Sequence, residues 1–93
     1  MNEQDTNSQE TLLKFPCAFP IKIMGRMEDG FAATMVEVVL RHAPDFDAAS
    51  VSMKASSSNK YLSLTCTINA TSKQQLDDLY REISAHPLVV MAL

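Results

Sequence analysis

The 93-residue chain predicts an α+β sandwich, a four-stranded antiparallel sheet with two helices on one face. Three observations predict it. Strict apolar–polar alternation recurs in three short segments, the mark of half-buried strands. Two other segments repeat their apolar residues at helical spacing. The segments follow one another as strand, helix, strand, strand, helix, strand, with turn residues at each junction.

"AFPIKIMG" (18–25) is the first strand, with Phe19, Ile21 and Ile23 on one face and Pro20, Lys22 and Met24 on the other. Gly25 ends it and "RMEDG" carries the turn. "GFAATMVEVVLRHA" is the first helix, with Phe31, Met35, Val38 and His42 on one stripe. Asp29 is its expected N-cap, Arg41 and His42 suit its negative end, and Pro44 stops it. "AASVSMKA" alternates again, with Ala49, Val51, Met53 and Ala55 inward. "SSSNK" is the hairpin connection. In "YLSLTCTIN", Leu62, Leu64, Cys66 and Ile68 face in, while Tyr61, Ser63, Thr65, Thr67 and Asn69 face out. "TSKQQLDDLYREISAH" is the second helix, capped by Thr71 with Gln74 or by Ser72 with Gln75, and buried along Leu76, Leu79, Tyr80 and Ile83. "PLVVMAL" is the last strand, with Pro87 at its start. The economical packing of this order is the ferredoxin-like βαββαβ sandwich, sheet order 4-1-3-2, its hand set by right-handed crossovers.

One such domain is expected over residues 15–93, preceded by a disordered polar tail over 1–14 that holds little to bury. The tail carries Glu3, Asp5, Glu10 and Lys14, a net −2 of the chain's formal −3. This balance argues against a general nucleic-acid binder, which replaces phosphate counterions with a basic face. The start has no basic n-region and no long apolar run, and no stretch approaches a membrane span of about 20 residues. A cytoplasmic chain without membrane attachment is expected. Cys17 and Cys66 are too few for a disulfide scaffold and badly spaced for zinc.

The segments "FPCAFPIKIMG", "MVEVVLRHAPDF", "SSSNKYLSLTCTINATSKQQLDDLY" and "HPLVVMAL", in this order and spacing, resemble the YbeD-like family of small uncharacterised bacterial proteins. The resemblance covers Phe15 to Leu93. It implies a fold similar to the amino-acid-sensing ACT domains and supplies no function. The family's hairpin often carries a glycine where this chain reads Ser58-Asn59-Lys60.

The expected topology gathers Gly25, Arg26, Lys60 and His86 at one end of the sheet. In ACT-like domains the first strand–helix turn helps to hold a small ligand, and Gly25, Arg26 and His86 are the candidate ligand residues. The plainer reading is a turn glycine, a surface arginine and a histidine beside a helix C-terminus. The other end gathers Cys17 and Cys66, and whether they meet stays open. There Arg41 and His42 either hold an anion at the start of the second helix or simply suit the end of the first.

Other chemistries of this architecture lack their residues. Soft-metal chaperones need two cysteines where this chain has Met24-Gly25-Arg26-Met27. RNA-recognition modules need stacking aromatics on the outward face, where Tyr61 stands alone. A phosphate-cradling turn would be opposed by Glu28 and Asp29. No nucleophile–base pair is apparent, so no catalytic residue, metal or cofactor is assigned. The last strand is apolar on both faces, so Val89 and Met91, with Pro20 and Met24, are the candidate interface. The expectation is a non-enzymatic regulatory or interaction module acting as a homodimer or on a protein partner. The alternative is a sensor of an amino-acid-like metabolite at the first strand–helix turn.

Overall fold

The computed structural model describes residues 13–93. Of the polar segment 1–14, residues 1–12 lie outside the described residues. The elements are β1 (Cys17–Arg26), α1 (Phe31–His42), β2 (Ser52–Ala55), β3 (Tyr61–Ala70), α2 (Lys73–Ala85) and β4 (Val89–Ala92). The strands form one sheet of order β2-β3-β1-β4, antiparallel at every pairing. This is the ferredoxin-like order expected from the sequence. β1 and β3 pair over ten residues, from Cys17 opposite Ala70 to Arg26 opposite Tyr61.

The core lies between the sheet and the helices. Ile21, Ile23, Leu64, Cys66 and Ile68 come from the central strands, Phe31, Met35, Val38 and Val39 from α1, and Leu76, Leu79 and Ile83 from α2. Each set follows the period of its element, two in strands and 3.6 in helices. No polar or charged residue is buried among the described residues. Phe19 and Tyr80 close one flank edge to face, with ring centroids 6.5 Å apart.

Four local expectations change. α1 has Gly30 as its N-cap residue in the left-handed region (φ 83°), with no side-chain cap, so Asp29 does not serve. Glycine adopts that φ without steric cost. Residues 48–50 wind into a 3-10 turn, so β2 starts only at Ser52. Asp47 accepts a hydrogen bond from the Ala49 N–H at 3.0 Å and caps that turn. Met53 pairs with Leu64 and so shares its core-side face, yet it is 57% exposed. A short edge strand lies beyond the reach of the two helices. In β4 the register shifts between Met24 and Gly25, so Met24 faces Met91 but Gly25 faces Val89.

The two caps left open at α2 resolve to Ser72 with Gln75. Ser72 Oγ accepts from the Gln75 N–H at 3.1 Å, and Gln75 Oε1 accepts from the Thr71 N–H at 2.7 Å. Gln75 Nε2 also donates to the His42 carbonyl at 2.9 Å. One side chain thereby joins the start of α2 to the end of α1. At the hairpin, Asn59 takes φ 59°, where a glycine would otherwise be favoured. Asn tolerates the left-handed region better than other side chains.

Candidate functional site

Cross-strand partners share a face, so the sheet's register defines the open face row by row. One row is Lys54, Ser63, Met24 and Met91, and the next is Ser52, Thr65, Lys22 and Leu93. Leu93 enters the second row through reciprocal backbone bonds with Lys22, at 2.9 and 2.8 Å. Arg26 with Tyr61, and Pro20 with Thr67, extend the face at either end. The face has two halves: hydroxyls and Lys54 over β2 and β3, and Pro20, Met24, Met91 and Leu93 over β1 and β4, with Lys22 and Arg26 of β1 set among them.

On the apolar half, Lys22, Ile23, Met24, Ser63, Met91 and Leu93 surround a dimple of about 90 Å³. Met91 is 47% and Leu93 67% exposed. Pro20, Met24 and Met91 thus lie on the open face, as their alternation predicts. Val89 does not. The bulge makes Val90 the extra residue and turns Val89 to the core, where it packs with Leu88 and Ala92. Leu93 takes its place on the open face, two residues beyond Met91 on the same alternation.

At the first strand–helix turn, the expected cluster divides. Gly25 is buried, and an added Cβ would stand 2.2 Å from Phe31 Cζ and 2.7 Å from the Leu88 carbonyl oxygen. Gly25 is therefore the point where the Phe31 ring and β4 close on β1. His86 Nδ1 accepts the Leu88 N–H at 3.1 Å and fixes the turn between α2 and β4. Its carbonyl accepts the Val89 N–H at 3.1 Å. Arg26 and Lys60 do meet, at a shallow, open depression of about 320 Å³ completed by Met27, Glu28, Asn59 and Tyr61. The Met27 N–H donates to the Lys60 carbonyl at 2.9 Å and ties the turn to the hairpin.

The two cysteines do not meet. Cys17 stands opposite Ala70 and Cys66 opposite Ile21, four positions apart along the ladder. At a strand rise of about 3.3 Å per residue they are about 13 Å apart, beyond disulfide reach. Both are free thiols. Burial pushes the Cys66 thiol up to about 11, which keeps it protonated and inert. Arg41 and His42 do not frame an anion site at the start of α2, because both turn to Glu82. Arg41 Nη2 donates to Glu82 Oε2, and His42 Nε2 lies 2.7 Å from Oε1. The hydrogen bond from His42, with the two neighbouring charges, holds the Glu82 carboxyl below its usual range. Among the described residues no three His, Cys, Asp or Glu side chains group as a metal site requires. No helix there is long and apolar enough to cross a membrane.

Fold and surface together define a small α+β domain with one open sheet face and two edge strands. Residues 10–93 match the model of a family described as "Protein of unknown function (DUF493)". The chain is 48% identical over 86 residues to a UPF0250 protein of Nitrosomonas europaea, covering 92% of this chain and 99% of that one. It is 49% identical over 85 residues to one of Bordetella pertussis, covering 91% and 93%. A third, from Janthinobacterium, is 45% identical over 93 residues and covers both chains completely. The chain belongs to this DUF493/UPF0250 family, in agreement with the YbeD-like resemblance. Among solved structures, the solution structure of protein HP0495 from H. pylori is similar, with a TM-score of 0.71 and 17% identity over 87% of this chain and 85% of that one. At that identity the likeness establishes the fold.

Proposed function

We propose that the domain is a non-enzymatic, cytoplasmic interaction module that works through the apolar half of its open sheet face, with a second copy of itself as the first partner. The observation that carries this is the patch of Met24, Met91 and Leu93 around the 90 Å³ dimple. Contiguous apolar surface of this kind costs free energy in water, and contact with another surface recovers it. β4 adds to the case. It is an edge strand, and "VVMAL" has neither charge nor proline to discourage pairing, whereas β2 carries Lys54.

Sedimentation velocity over a concentration series tests the reading. A dimer that Met24→Lys or Met91→Lys converts to monomer, without lowering the melting temperature, supports it. Met91 is already half exposed, so the substitution should change stability by less than about 0.5 kcal/mol. A wild type that stays monomeric, or variants that associate as wild type does, would overturn it.

The metabolite-sensor reading retains one supporting observation, the juxtaposition of Arg26 and Lys60 at the first strand–helix turn. Beside them Gly25 closes against Phe31 and His86 Nδ1 accepts the Leu88 N–H of the adjoining turn. Repeating the sedimentation and melting curves with amino acids separates the two readings. A ligand-linked rise in stability, abolished by Arg26→Gln, favours the sensor.

A further inference from the structure

The four strands contain no Asp or Glu, although the chain has 11 acidic residues and a formal charge of −3. They contain three cations, Lys22 and Arg26 on β1 and Lys54 on β2, and the register places all three on the open face. Among the described residues none of the three is paired with a carboxylate, whereas Arg41, Lys73 and Arg81 on the helices all are. An acidic protein has therefore gathered unpaired positive charge on the face that has no helices. Strand spacing and the two-residue offset put Lys22 and Lys54 about 12 Å apart across β3, with Arg26 about 13 Å further along β1. Hydroxyls of Ser63 and Thr65 lie between them. Two acidic side chains stand at the ends of the face: Glu28 beside Arg26, and Asp45, which accepts from Asn69 Nδ2 at 3.3 Å.

We infer that the open face receives an acidic, amphipathic segment of a partner protein, its carboxylates over Lys22, Arg26 and Lys54 and an apolar side chain in the dimple beside Met24 and Met91. Charge complementarity selects the acidic partner, and the adjoining apolar patch selects a polypeptide over a polyanion. A nucleic acid would find three cations, one aromatic at the rim and a net-negative protein behind them, and would leave the methionines and Leu93 in water. A segment with both carboxylates and aliphatic side chains uses both halves. The inference rests on the open face being a contact surface, and a second copy seated on the same patch would compete with the segment.

The test uses the full chain and three labelled probes read by fluorescence anisotropy: a 16-residue amphipathic peptide of Glu and Leu, its Gln-for-Glu counterpart, and oligouridylate of matched length. The acidic peptide should bind, more weakly as salt rises, and more tightly than the Gln counterpart. Exposed charge pairs contribute about twofold to fivefold each, so K22Q/K54Q should weaken it roughly tenfold. Met91→Gln, which adds no charge, should weaken it by putting a hydrated amide at the dimple. No binding, equal binding by K22Q/K54Q, or tighter binding of oligouridylate would each overturn the inference. Sedimentation of the same samples keeps the result separate from dimerisation, since a monomer that binds the acidic peptide sustains this inference while refuting self-association.

Discussion

Gly25→Ala should destabilise the domain by about 1–4 kcal/mol. The added Cβ would lie 2.2 and 2.5 Å from two atoms of the Phe31 ring, which is completely buried, and 2.7 Å from the Leu88 carbonyl oxygen. A ring at the end of a flexible side chain can usually move aside. Phe31 is completely buried in the same core as Met35, Ile23 and Ile83, so moving its ring displaces packed neighbours. The carbonyl is fixed as well, because it accepts the Arg26 N–H at 3.0 Å and helps hold β4 to β1. Overpacking of a filled core costs about 1–3 kcal/mol, and a weakened β1–β4 bond adds about 1 kcal/mol. The smaller entropy of alanine in the unfolded chain returns at most about 1 kcal/mol. For a domain of this size each kcal/mol lowers the melting temperature by about 4–8 °C, so a fall of roughly 5–30 °C is expected. Urea denaturation followed by circular dichroism gives the free energy directly. The double variant Gly25→Ala/Phe31→Leu should recover part of the loss, with a coupling above about 1 kcal/mol. A Gly25→Ala protein within 0.5 kcal/mol of wild type, or a double variant that is simply additive, would refute the close-approach account and return Gly25 to the candidate ligand residues.

Two further outcomes follow from the surface and the core. Glu82 has its carboxyl pKa lowered by the His42 hydrogen bond and the Arg41 and His42 charges, so its contribution is present above the unfolded value near 4.5 and is lost as pH falls through the lowered folded value. The group is largely solvated, so Glu82→Gln should cost no more than about 1 kcal/mol at pH 6 and nothing near pH 2; urea curves at both pH values check this, and a deficit that grows on acidification contradicts the sign. Cys66, buried and raised to about 11, should react with iodoacetamide at pH 8 only as fast as the domain opens. Peptide mapping of the alkylated protein reads this directly, and Cys66 labelling at the rate of a free thiol in native buffer would disprove its burial.

The strands and helices were legible because each has a pattern of its own. Alternation in "YLSLTCTIN" placed Leu64, Cys66 and Ile68 inside and Thr67 outside, and the spacing of Leu76, Leu79 and Ile83 identified the buried side of α2. The capping box at Ser72 was visible as a local signal, though only the structure chose between the two registers. The α1 start was misread because Asp29 and Gly30 both suit a helix entrance, and the choice depends on backbone φ rather than residue type. The candidate ligand group was half legible. Order of elements brings Arg26 to Lys60, but it does not say that Phe31 covers Gly25 or that His86 spends its Nδ1 on the adjoining turn.

The sequence by itself determined the βαββαβ order, the single core, the wet face of β3 and the apolar character of β4, since these depend on periodicity within one segment. Tertiary structure decided what depends on two segments at once. A one-residue bulge between β1 and β4 turned Val89 inward and left Met91 and Leu93 to form the open-face patch. The ladder register kept Cys17 from Cys66, and the reach of the helices left Met53 exposed although its alternation points to the core side. A strand's period fixes which residues share a face, but only its partner's register and the layer above fix which neighbours that face meets.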